Sequence, residues 1–120
     1  MRRLTLLLCL TACATEPFDP FAGAEPFSPP AIYQEWWGQV ESCSGKTGDF
    51  AAVRWYTRES FNRIGVQATA DYASQQVVMK PALVLEANDV RHEMLHLLIK
   101  QPGHPEEFFR TKCGHLVGDI

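Results

Sequence analysis

The sequence VRHEMLH at residues 90–96 predicts a helix that carries chemistry on one face, and the rest of the chain is organised around it. Helical side chains four positions apart lie on the same face, with their Cβ atoms about 5–6 Å apart. His92 and His96 can therefore direct two imidazole nitrogens at one metal ion, with Glu93 at the edge of that face. Two histidine ligands beside a carboxylate that can accept a proton from water are the arrangement that zinc-dependent hydrolysis uses.

The flanking residues indicate that this helix is central and buried. Apolar side chains occupy nearly all of its faces, namely Val90, Met94, Leu95, Leu97, Leu98 and Ile99. Two histidines and a glutamate on a buried helix need partners, because uncompensated polar burial is costly. A metal ion would supply those partners. We therefore predict a Zn²⁺ site on a helix over residues 88–100, in preference to two unrelated surface histidines.

A third ligand is expected just after this helix. Residues 100–103, KQPG, should end the helix, and Pro105 is well placed to begin another one. His104 would then stand at the mouth of the turn, free to reach back to the metal ion. Catalytic zinc needs three protein ligands and one open position. His104 is the preferred candidate, and the alternatives are Glu106, Glu107 and His115.

These residues resemble a known family. HExxH at residues 92–96, followed by GHPEEF at residues 103–108, is similar to the minimal zincins of the SprT–Spartan group. The resemblance covers roughly residues 76–110 and depends on those few positions. It implies a zinc-dependent peptidase fold in which Glu93 is the catalytic base and the ligands are His92, His96 and His104. The nucleic-acid-binding parts of that group have no visible counterpart here.

The N-terminus predicts a bacterial lipoprotein. Residues 1–12 read as a signal peptide, because Arg2 and Arg3 precede an apolar stretch too short to span a bilayer. Residues 10–13, LTAC, resemble a lipobox, in which Cys13 is lipidated and becomes the first mature residue; the alternative is an ordinary signal peptide. Ala14 after the cysteine favours the outer membrane, facing the periplasm, if the host has two membranes.

Charge excludes one class of partner. Removal of Arg2 and Arg3 with the signal peptide takes the formal net charge from −3 to −5, because that segment contains no acidic residue. A mildly acidic protein lacks the excess of positive charge with which proteins bind nucleic acid. The partners that we expect are a peptide or protein substrate and, through lipid on Cys13, the membrane.

The rest of the chain divides into a tether and one small domain. Residues 13–30 contain five prolines and predict an extended tether of up to roughly 50 Å, although Phe18, Phe21 and Phe27 are unusual in a free linker. Residues 31–120 form the domain, beginning with an amphipathic helix near Tyr33. Three segments rich in β-branched and aromatic residues predict an antiparallel meander: 51–57, 66–72 and 75–79. The expected fold is α+β, a small twisted antiparallel sheet with the His-Glu helix and flanking helices.

The cysteines predict one disulfide bond. Cys9 leaves with the signal peptide and Cys13 carries lipid, so Cys43 and Cys113 remain. Two cysteines in a small exported domain are typical of a disulfide. The alternative is Cys113 as a metal ligand beside His115.

The function that follows is a zinc metallopeptidase anchored to the cell envelope. For a second group that would stabilise the transition state, the sequence offers Tyr72 and His115. The alternative function is a non-catalytic zinc-binding lipoprotein with a structural or partner-binding role. An envelope scaffold without a metal would be a third possibility.

Overall fold

Short segments in which side chains alternate between two faces form the strands. Segments with apolar residues every three or four positions form the two long helices. A computed structural model describes residues 18–118 of the protein. Its elements in chain order are β1 (Glu25–Pro26), α1 (Ile32–Ser44), β2 (Arg54–Thr57), β3 (Ala68–Asp71), β4 (Gln76–Met79), α2 (Ala87–Ile99), a π-helix (Glu107–Lys112) and α3 (Gly114–Val117). The predicted α+β class is confirmed.

The strands form one mixed sheet in the order β1-β2-β4-β3. β3 and β4 pair antiparallel through a tight turn, in which Gln75 adopts a left-handed conformation with φ of 54°. β2 pairs with β4 in parallel, with Trp55 opposite Val77. The predicted antiparallel meander is therefore wrong in its strand order and in the direction of β2 relative to β4. Alternation of side chains fixes which face a residue occupies, but it is the same whether the neighbouring strand runs parallel or antiparallel.

One hydrophobic core lies between the sheet and the helices. Trp55, Val77 and Met79 face it from the sheet, and all three are at least 97% buried. From the helices come Tyr33, Trp37, Val40, Val90, Met94, Leu95, Leu97 and Leu98. The metal-motif helix α2 thus lies in the centre of the fold, as its sequence predicts.

The N-terminal segment lies against the domain. β1 pairs antiparallel with β2, and the backbone N–H of Phe27 donates to the carbonyl of Trp55 at 3.0 Å. The Phe27 ring packs against Tyr33 and Trp55, with centroid distances of 6.3 and 6.4 Å. The folded unit therefore begins before Ala31, the start that the sequence predicts. The prolines favour extended chain, but the extended chain is not free, because aromatic side chains between the prolines pack against the domain.

The outer face of the sheet is also covered. Tyr56 and Val78 are register partners that alternate with core residues, so they point away from the helices. Val78 is nevertheless fully buried. The ring of Phe21 meets Tyr56 edge-on at 5.9 Å. The segment that includes Phe21 therefore helps to cover this face.

The predicted disulfide is confirmed. Cys43 at the end of α1 is bonded to Cys113, which lies between the π-helix and α3, and the two are 70 residues apart in the chain. Cys113 is fully buried in the core. The bond ties the first helix to the segment that follows the metal motif.

Two sequence predictions lie outside residues 18–118. They are the signal peptide over residues 1–12 and the lipidation of Cys13. Among the helices of the described residues, none has both the length and the apolar character to cross a bilayer.

Candidate metal centre

α2 presents the motif residues from the centre of the fold. Apolar residues anchor the helix in the core, while Glu93 is buried and the rings of His92 and His96 are half-buried. Arg91 links α2 to its neighbours α1 and α3. Its guanidinium donates to the carbonyl of Leu116 at 2.8 Å and to Gln39 Oε1 at 2.9 Å. The two histidines are therefore held on a rigid element.

The turn after α2 brings the third histidine back. The helix ends at Ile99, and Lys100 adopts a left-handed conformation with φ of 53°. Gly103, immediately before His104, also has a positive φ, 71°. Such a conformation strains most side chains, so glycine is the suitable residue at this position. The KQPG segment therefore reverses the chain and places His104 over the helix face that carries His92 and His96.

The three histidines are spaced for a shared ion. His92 Nε2 lies 3.1 Å from His104 Nε2 and 3.2 Å from His96 Nε2. Two nitrogens bound to one tetrahedral zinc at about 2.0–2.1 Å lie about 3.3 Å apart. The ligand atoms of all three residues fall within 4.8 Å of one another. His92, His96 and His104 therefore could hold one metal ion.

The ring of Phe109 packs against all three histidine rings of this cluster. Its ring centroid lies 4.9 Å from that of His92, 4.7 Å from that of His96 and 4.9 Å from that of His104. The residue is 1% exposed and lies on the π-helix. The GHPEEF segment of the sequence motif ends at Phe108 instead, whose ring is flanked by Lys46 and Lys112. No periodic pattern distinguishes the two adjacent phenylalanines, because the π-helix departs from the period of 3.6 residues on which such patterns depend.

Glu93 is buried beside the cluster. The residue is 7% exposed, and its Oε2 atom has no partner among the described residues. Burial raises the pKa of the Glu93 carboxyl from 4.5 to about 8, and the carboxylate of Asp89 adds to the rise. A buried polar atom without a partner is costly, so its position calls for a ligand.

Two of the histidines are kept neutral. Burial lowers the pKa of His92 from 6.5 to about 4; His104 adds to this effect and Asp89 opposes it. Burial also lowers the pKa of His96 to about 4, with His92 and His104 contributing in the same direction. Neutral imidazole is the form that binds metals. The donor set and the unpartnered oxygen of Glu93 therefore both fit a metal ion with a bound ligand.

A cleft of about 410 Å³ opens beside the cluster. Glu93, His96 and the turn over residues 101–104 form one wall. Strand β3 and Tyr72 form the other wall, with Ala68, Thr69 and Ala70 contributing. Within residues 18–118, β3 is an edge strand that pairs only with β4. The cleft therefore has histidines and a carboxylate on one side and a free strand edge on the other.

The alternative ligands lie elsewhere. Glu107 accepts a hydrogen bond from Lys112 Nζ at 2.8 Å, and Cys113 is in the disulfide. His115 lines a separate depression beside Ser42 and Lys112. In the part of the chain that the structure describes, the group able to share one ion includes neither Glu106 nor these residues.

Comparison of the chain with protein-family models, with curated proteins and with solved structures found no match.

We predict that each histidine of the cluster is needed for metal binding. His92→Ala, His96→Ala and His104→Ala should each reduce the metal content after dialysis from about one ion per chain to nearly none, because two remaining ligands bind weakly. Glu107→Ala and His115→Ala should keep the ion. Elemental analysis measures the content, and circular dichroism checks the fold. Retention by His104→Ala, with loss by a Glu106→Ala or Glu107→Ala variant, would contradict the assignment.

We also predict a pH-dependent stability difference in the metal-free protein. The pKa of Glu93 is higher folded than unfolded, so the folded state binds the extra proton and wild type loses stability as pH rises from 4.5 to about 8. Glu93→Gln lacks that proton equilibrium. The unfolding free energy of the variant relative to wild type should rise by about 1.4 kcal/mol per pH unit in this window.

Urea unfolding at several pH values measures this difference, and a histidine contribution common to both proteins cancels. Below pH 4.5 and above about pH 8 the two stability curves should run parallel. Parallel curves throughout would show that the pKa of Glu93 is not raised.

Proposed function

We propose that this protein is a zinc-dependent peptidase of the minimal zincin type, lipid-anchored in the bacterial cell envelope. The observation that carries the proposal is Glu93. Its Oε2 atom is buried, lacks a hydrogen-bond partner within residues 18–118 and belongs to a residue that lines the cleft together with His96. A water molecule between this carboxylate and a metal ion would supply the missing partner.

The donor set supports zinc. Three imidazole nitrogens suit zinc among the common metals, and a set of three protein ligands is typical of catalytic zinc sites. Zinc held by His92, His96 and His104 would lower the pKa of a water molecule toward 7 and would polarise the carbonyl of a peptide bond. Phe109 beneath the rings would keep the three imidazoles in place.

The remaining chemistry belongs to residues of this chain. Glu93 would accept the proton of the attacking water at Oε2 and then deliver it to the leaving amine nitrogen. A zinc ion beside Glu93 would favour the ionised form of its carboxyl, and the ionised form is the one that can accept a proton. Tyr72 in the cleft is the candidate donor to the developing oxyanion. His115, the other candidate from the sequence, lines a different depression.

The free edge of β3 suggests how a substrate would bind. An edge strand presents unpaired N–H and C=O groups, with which an extended peptide can pair. Ala68, Thr69 and Ala70 line the cleft opposite Glu93 and His96. A peptide added along β3 would therefore pass the histidine cluster in extended form, so we propose extended polypeptide segments as substrates.

The envelope location rests on two features. LTAC at residues 10–13 matches a lipobox, so Cys13 would carry the lipid. The Cys43–Cys113 bond is of the kind that persists in an oxidising compartment such as the periplasm. If the host has two membranes, Ala14 after the lipidated cysteine favours the outer membrane, with the domain in the periplasm.

A peptidase screen tests the proposal. The purified protein should contain zinc, cleave members of a broad peptide mixture, lose this activity on treatment with a chelator and regain it when zinc is added. Mass spectrometry of the products gives the cleavage sites. The His96→Ala variant is the matched control for contaminating peptidases. Bound zinc without cleavage of any peptide would favour the alternative, a non-catalytic zinc-binding lipoprotein.

A further inference from the structure

The chain is fastened to the domain from Phe18 onward. The Arg58 guanidinium donates from Nη1 to the carbonyl of Asp19 at 2.9 Å and to that of Pro20 at 3.0 Å. Arg63 lies over the ring of Phe18, with its Cζ 4.8 Å from the ring centroid. With Phe21 packed on the sheet, this part of the chain cannot act as a free tether.

The distance between the lipid and the domain is therefore short. Cys13 and Phe18 are five residues apart in the sequence. Fully extended chain spans at most about 3.6 Å per residue, so these five residues cannot span more than about 18 Å. That limit holds for any conformation and is well below the roughly 50 Å expected if residues 14–30 were all free. A lipid on Cys13 would hold Phe18 close to the bilayer.

The surface at this position exposes large apolar side chains. Ile64 is fully exposed and Phe18 is 39% exposed, and among the described residues the only other exposed large hydrophobic residue is Leu85. Asn62 and Gly65, on either side of Arg63 and Ile64, have positive φ values of 51° and 84°. The chain therefore turns sharply at this position and leaves Ile64 in solvent.

We propose that Phe18, Arg63 and Ile64 form a membrane-contacting surface that seats the domain on the phospholipid bilayer. This proposal rests on lipidation of Cys13, which is part of the proposed function. Ile64 inserts among the lipids, since removing an exposed apolar side chain from water is favourable. Phe18 packs at the same level, and Arg63, stacked on Phe18, meets the lipid phosphates. Because the acidic Glu59 follows Arg58 in the sequence and the backbone carbonyl of Asp19 accepts from Arg58, insertion depends on apolar burial more than on charge.

Contact between this surface and the bilayer would also fix the position of the metal cleft relative to the membrane. Phe18, Pro20 and Phe21 line an apolar cavity of about 340 Å³ whose other wall includes Thr69, Ala70 and Tyr72. Those last three residues also line the metal cleft. Strand β3 and Tyr72 therefore border both the cavity beside Phe18 and the metal cleft. The substrates favoured by this arrangement are extended segments of polypeptide close to the membrane surface.

Tryptophan fluorescence of the full-length lipidated protein tests the surface. Ile64→Trp is compared with Leu85→Trp, which adds the same ring at another exposed apolar site. Leu85 follows Val84, whose carbonyl accepts from Tyr33 on the helical side of the sheet. Each protein is reconstituted into vesicles of phosphatidylethanolamine and phosphatidylglycerol, with and without brominated acyl chains. Native tryptophans are the same in both variants, so wild type supplies the background.

The expected result is that brominated lipid removes most of the fluorescence added at position 64 and little of that added at position 85. Intact-mass measurement of each sample reports acylation of Cys13. If Cys13 is acylated and the two variants are quenched equally little, the membrane-contacting surface is overturned while the anchor stands. If Cys13 carries no lipid, the anchor and the surface are both overturned. Neither result bears on the peptidase proposal, which the peptide screen tests separately.

Discussion

Replacement of Glu93 by glutamine is expected to reduce peptide turnover by at least about 10²-fold, and by up to about 10⁴-fold, without loss of the metal ion. Glutamine keeps the size of the side chain but cannot accept the proton of the attacking water. The three imidazoles that would hold the ion are unchanged. Turnover and zinc content measured on the same preparation should therefore separate, with activity falling and metal content remaining.

Glu107→Gln is the matched control for this change. It alters the same functional group, but Glu107 is exposed, pairs with Lys112 and lies outside the cleft. Its turnover should equal that of wild type. If Glu93→Gln cleaved peptides as fast as wild type in a zinc-dependent reaction, the assigned role of Glu93 would be wrong even with the metal site correct.

Loss of the Cys43–Cys113 bond should lower the free energy of unfolding by about 4 kcal/mol. In the chain-entropy model, the crosslink lowers the conformational entropy of the unfolded state, and the decrease grows with the length of the closed loop. The folded state is stabilised by the corresponding free energy. For a domain of this size, each kcal/mol shifts the melting temperature by about 4–8 °C, so a decrease of about 15–30 °C is expected. Denaturant unfolding of a Cys43→Ala/Cys113→Ala variant, followed by tryptophan fluorescence, measures the change.

Wild type in the presence of a reductant provides the control. Reduction should lower the unfolding midpoint by a similar amount, because it removes the same crosslink without changing any side chain in the core. Thiol titration of the unreduced native protein should find neither cysteine reactive. Two reactive thiols, or an unchanged midpoint in the variant, would contradict the prediction.

The sequence predicted the elements of the candidate site that depend on local rules. The predicted helix over residues 88–100 appears as Ala87–Ile99, because its apolar residues recur on the faces that a central helix must bury. The KQPG turn and His104 could also be predicted, since proline and glycine end helices for local steric reasons. The pairing of Cys43 with Cys113 followed from counting cysteines. The role of Glu93, by contrast, stays a prediction that the turnover measurement must test.

What the sequence could not predict depends on contacts between distant segments. The parallel pairing of β2 with β4 leaves no trace in the alternation of either strand. The sequence does not show which of Phe108 and Phe109 faces the histidines, because the direction of each ring depends on the π-helix. A proline-rich composition predicts extended chain in residues 18–30, but whether that chain is free depends on partners such as Tyr56 and Trp55 on β2.

The separation of Cys43 from Cys113 also sets a minimum time for maturation. The bond cannot form until the ribosome has added the 70 residues that follow Cys43. At translation rates of about 5–20 residues per second, this interval is about 4–14 s. Throughout that time Cys43 is an unpaired thiol that can react with any other cysteine it meets. In the export that we propose, the nascent chain would therefore need protection from wrong thiol partners until Cys113 has also crossed the membrane.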